Sequence, residues 1–165
     1  MITTSPAKKS GTFTSSIILA GLIAGTLDIT AACIQFYIMT ERGPETIFRY
    51  IASAVVGKDA FSGGMGMILL GFFLHYLIAF IWTILFFLLY PRIRSISGNI
   101  IVNAFVYGLI VWSLMNLVIV PLTRINRAPI DFVKAIPGIL IIIFCVGLPI
   151  SIVAERYFRR KKESI

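Results

Sequence analysis

Ile17-Ile18-Leu19-Ala20-Gly21-Leu22-Ile23-Ala24-Gly25-Thr26-Leu27-Asp28-Ile29 is the stretch on which the fold turns. It opens an apolar run that continues to Met39, long enough to cross a bilayer as a helix. Asp28 sits at its midpoint. A carboxyl group at that depth is costly to expose to lipid, so it is expected to face the interior of a helix bundle or a wet cavity. Gly21, Ala24, Gly25, Asp28 and Ala32 recur at helical spacing and share one face. Gly21 and Gly25 form a small-xxx-small pair that lets another helix come close. The acid therefore lies on the face that other helices cover.

Working outward, three more windows lack Asp, Glu, Lys and Arg altogether: Ala60 to Pro91, Ser95 to Thr123, and Ala135 to Ala154. Each is long enough to span. The chain has 165 residues, of which 58% are hydrophobic. Its mean hydropathy is +0.95. The fold class these features predict is all-α: an integral membrane four-helix bundle, with a short interfacial helix between helices 1 and 2. A cleaved signal peptide does not fit the N-terminus, because its apolar core would be only about 7–15 residues long and free of acids.

The predicted organisation is a flexible cytoplasmic leader over 1–16, a single transmembrane domain over 17–157 and a basic cytoplasmic tail over 158–165. Helix 1 is expected over 17–39. Glu45 to Val56 reads as the interfacial helix, opened by Pro44 and closed by Gly57, with Ile47, Phe48, Ile51 and Val55 as its apolar stripe. Helix 2 is expected from Met65 to Tyr90, closed by Pro91-Arg92-Ile93-Arg94. Helix 3 is expected from Asn99 to Val120, ended by Pro121. Helix 4 is expected from Ala135 to Ala154, kinked by Pro149.

The net charge of +8 is no nucleic-acid signature, because the basic residues flank the apolar runs. Four crossings put both termini on one side, together with nine Lys and Arg: Lys8, Lys9, Arg92, Arg94, Arg156 and the four of the tail. The other side carries the remaining six, interspersed with acids. The positive-inside rule then predicts both termini in the cytoplasm of a bacterial inner membrane. Lipids are the expected partners.

The polar groups inside the spans are the candidate functional residues. His75, the only histidine, shares a small-residue face with Gly71 and Ala79. By helical rise, Asp28 and His75 fall in one layer of the outer half, with Asn116 nearer the surface. An Asp–His pair would satisfy both groups, and such pairs recur in proton relays and ion pathways. The polar intramembrane site predicted is therefore Asp28, His75 and Asn116. Arg49, Arg124 and Arg127 form an outer basic set that would draw an anionic species, and Gly21, Gly25 and Gly71 are the helix-packing positions. One His and two well-separated Cys make no metal site, and no cofactor is expected. No nucleophile–base arrangement or phosphate-cradling loop supports an enzyme.

Ile51-Ala52-Ser53, Gly57 and Ala60-Phe61-Ser62-Gly63-Gly64 resemble the loop block of the YagU-like family of small bacterial four-helix inner-membrane proteins. The resemblance continues through Leu70-Gly71, His75, Tyr90-Pro91, Tyr107-Gly108, Met115-Asn116, Pro121-Leu122 and Cys145-Val146-Gly147-Leu148-Pro149-Ile150. It implies the fold and the membrane and carries no activity. Two readings follow. In the first the protein is a small transport or permeation component built on the Asp–His site. Four helices rarely enclose a path, so this reading needs a homo-oligomer or an unidentified membrane partner. In the second the protein is a non-transporting scaffold or assembly factor whose polar groups only join helices.

Overall fold

A computed structural model describes residues 12–125 and 132–163. Five helices form the fold: α1 (Phe13–Thr40), α2 (Glu45–Val56), α3 (Met65–Ile96), α4 (Ile100–Leu122) and α5, which starts at Phe132 and ends at Glu163. α1, α3, α4 and α5 are each long and apolar enough to cross a membrane, and the chain reads as a multi-pass membrane protein. Only 22–28% of each apolar window is buried inside the bundle. The remaining side chains, such as Leu22, Phe73, Leu88 and Phe105, point outward. An exterior this apolar suits lipid rather than water.

The ends of the helices show why the chain breaks where it does. Thr12 caps α1 by accepting from the Ser15 N–H at 3.2 Å. α1 thus begins four residues earlier than the leader boundary predicts. Gly57 closes α2 with φ of +76°, a conformation that favours glycine. α2 matches its predicted bounds. Pro91, by contrast, does not end α3, which runs on to Ile96. A proline removes one backbone N–H, a loss that membrane helices tolerate. The extra turns are held from outside by Glu155 of α5, which accepts from the Tyr90 hydroxyl at 2.5 Å and pairs with Arg94 at 3.2 Å. α5 likewise stays helical through the basic segment to Glu163.

Two prolines are accommodated by widening the helix. α4 has a π-helical turn over Leu114–Ile119, just before Val120-Pro121. α5 has one over Ile142–Gly147, just before Leu148-Pro149. A proline ring clashes with the carbonyl four residues back, and a looser turn ahead of it relieves that contact. The kink predicted at Pro149 takes this form, and Pro121 lies inside the last turn of α4 rather than beyond it.

Around the bundle, α3 packs on α1, α1 on α5 and α5 on α4, while α3 and α4 barely touch. Glycines allow the close approaches. A Cβ on Gly71 would stand 1.9 Å from the Phe48 carbonyl oxygen of α2, and one on Gly147 would stand 2.3 Å from that of Ala104 in α4. The core occupies the half of the bundle nearer the chain termini, where Phe86, Phe87, Tyr90 and Ile150 are fully enclosed. In lipid there is little hydrophobic drive between helices, so such van der Waals contact carries association.

Gly71→Ala and Gly147→Ala should each destabilise the bundle by about 1–3 kcal/mol in reversible micellar unfolding. Gly66→Ala, where the new methyl meets open space, should be neutral or stabilising. A Gly71→Ala protein as stable as wild type would show that the α2–α3 contact is not tight.

Candidate functional site

The gap between α3 and α4 is a cavity of about 360 Å³. α1 contributes Asp28 to its lining, α3 contributes His75 and Trp82, α4 contributes Val111 and Met115, and α5 contributes Ile142 and Val146. α2 roofs it with Tyr50, Ile51, Ala54 and Val55. A backbone bond fixes the roof to the far wall, the Arg124 N–H donating to the Ala54 carbonyl at 3.2 Å. Both π-helical turns border the chamber, Met115 and Ile119 coming from one and Ile142 and Val146 from the other. Exposed Tyr50, Val55 and Ile119 mark its mouth. Trp82 and Val111 lie at the inner end, and there the Tyr107 hydroxyl donates to the Trp82 carbonyl, sealing the chamber against the aromatic core.

The small-residue face of α1 sets the geometry. The Phe80 ring lies over Gly21, and the Tyr76 ring and Ala79 lie over Gly25. These contacts bring the α3 backbone close enough for His75 Nε2 to donate to the Gly25 carbonyl at 2.8 Å. The carbonyl can only accept, so Nε2 carries the proton. One step along, the Thr26 and Tyr76 hydroxyls bond at 2.8 Å. Asp28 follows Gly25 by three residues and so turns from the α1–α3 seam into the cavity.

Asp28 and His75 therefore line one chamber, as the sequence predicts. They are not a hydrogen-bonded pair. The imidazole is spent on the Gly25 carbonyl, and the ion pair found among the described residues is Arg94–Glu155. No hydrogen bond to the Asp28 carboxylate occurs among the described residues. Asn116 is not part of the lining. It sits in the π-helical turn of α4, where its amide donates to the Trp112 carbonyl at 3.0 Å.

The packing glycines all face inward, within the chain: Gly21 and Gly25 against α3, and Gly71 against α2. Arg49 does not reach outward, because its Nη1 donates to the Phe61 carbonyl at 3.3 Å and ties α2 to the following turn. Arg124 is exposed, and Arg127 lies outside the described residues. Sequence reasoning missed Tyr50, Trp82 and Met115. Of the apolar stripe of α2, Ile51 and Val55 line the chamber, while Phe48 packs on Gly71. Among the described residues no His, Cys, Asp and Glu cluster suits a metal.

Comparison with known proteins found no matching family model, no similar curated protein and no similar solved structure. The site is argued from its own geometry.

Asp28→Asn removes the charge and keeps the shape, so it should leave stability unchanged or raise it. His75→Ala loses an interhelical bond and leaves a void, and should cost about 1–3 kcal/mol. Unfolding of the two variants in detergent checks both. A cost above about 1 kcal/mol for Asp28→Asn would make the acid structural glue.

Proposed function

We propose that this chain is a small transport or permeation component of a bacterial inner membrane, with both termini in the cytoplasm, and that the Asp28–His75 chamber is its solute site. The observation that carries this reading is the Asp28 carboxylate, held in an apolar cavity without a hydrogen bond among the described residues. An acid serving only to join helices would gain most by bonding to a neighbour, since burying an unpartnered charge is costly. A site kept for a visitor tolerates that cost.

The chamber is hollow towards α2 and filled towards Tyr90, so one chain holds a pocket rather than a continuous path. Passage through it needs the aromatic floor to move or a second copy or membrane partner to complete the route. The family resemblance through the loop block, His75 and Tyr107-Gly108 supports the inner-membrane assignment, and the basic residues beside Tyr90 and along the tail support the orientation.

Proteoliposomes loaded with permanently charged organic ions should release at least one of them faster than protein-free vesicles do. Val55→Trp, which fills the mouth, should abolish the excess. Release at the protein-free rate for every ion overturns the permeation reading. For orientation, single cysteines replacing Ser15 or Ser62 in a chain lacking Cys33 and Cys145 should differ in intact cells. A membrane-impermeant maleimide should label position 62 and spare position 15. The reverse pattern inverts the topology.

A further inference from the structure

The walls of the chamber say what the site would hold. Its lining is aliphatic and aromatic apart from Asp28, His75 and a few hydroxyls. Among the described lining residues Asp28 is the one side chain with a carboxylate, and none is Lys or Arg. The His75 Nε2 proton is committed to the Gly25 carbonyl, and no described residue donates a hydrogen bond to the acid. Tyr50 and Trp82 add aromatic rings at opposite ends. About 360 Å³ falls in the size range of small-molecule pockets, about 300–1,000 Å³.

From these features we infer that the chamber takes a lipophilic monocation, an amine or quaternary ammonium on an apolar body, with the positive group at Asp28. The inference rests on the reading of this cavity as a solute site and adds the charge class. Apolar walls favour the body of such a molecule by burial. The carboxylate, poorly solvated there, attracts a cation more strongly than it would in water. Aromatic rings favour quaternary ammonium groups as well. The same charge repels an anion. The outer arginines therefore do not set the preference: Arg49 is engaged with Phe61, and neither it nor Arg124 lines the chamber.

Three probes with one benzyl body test the charge directly. They are benzyltrimethylammonium, its neutral carbon isostere neopentylbenzene, and benzylsulfonate. Binding is measured by equilibrium dialysis on full-length protein in zwitterionic nanodiscs, with empty nanodiscs subtracted. The cation should bind wild type roughly tenfold or more tighter than the neutral isostere, and the anion weakest. Asp28→Asn should remove the cation's advantage and leave the neutral isostere unchanged.

Cation and neutral isostere binding wild type equally would overturn the inference and leave the solute site standing. An imidazolium at His75 meeting the Asp28 charge internally would give that result. No excess binding of any probe would sink both readings together. The wild-type comparison needs no variant to fold, and Val55→Trp should weaken the cation and the neutral isostere alike.

Discussion

Backbone touching backbone is the contact on which this molecule depends. The Phe48 carbonyl over Gly71 and the Ala104 carbonyl over Gly147 leave no room for a methyl group. In a bilayer, helices gain little by hiding apolar side chains from one another, because lipid is as apolar as leucine. Close packing at glycines replaces that drive. Gly71 seats α2 on α3, Gly147 joins α5 to α4, and Gly21 and Gly25 join α1 to α3. Nothing comparable joins α3 to α4. The cavity is the place where the glycine contacts stop.

The site is a by-product of that arrangement. Gly25 is missing a side chain, so α3 comes close, and a carbonyl already bonded within α1 becomes an acceptor for His75. With its imidazole engaged, His75 serves as a wall with a fixed tautomer, and Asp28, one turn on, is left facing open space. Pro121 and Pro149 act in the same direction, widening α4 and α5 where they border the chamber.

Much of this was legible in the sequence. The three charge-free windows and the run around Asp28 marked four spans, and Pro44 with Gly57 framed α2 to the residue, because spans and caps are local in origin. Asp28 and His75 could be brought together because both share faces with glycines, and a small-residue face must meet another helix. Other parts depended on long-range contacts. α3 outlasts Pro91 because Glu155, 61 residues beyond Arg94, holds its end. Asn116 looked like a member of the polar layer on an α-helical wheel, but a π-helical turn breaks the 3.6-residue spacing and the amide bonds back onto its own helix. The lining role of α2 was not legible, since nothing in its stripe tells a lipid-facing side chain from one that closes a chamber.

The hollow half towards α2 and the filled half towards Tyr90 divide the labour of the chain. Phe86, Phe87, Tyr90, Tyr107 and Ile150 belong to the core and do not line the chamber, so most of the enclosed aromatic packing lies away from it. Side chains such as Ile51, Val55 and Met115 can therefore change in size or polarity while the fold persists. A lineage built on this plan can shift what its chamber admits by small steps, with the glycine contacts and the aromatic floor as the parts it must leave alone.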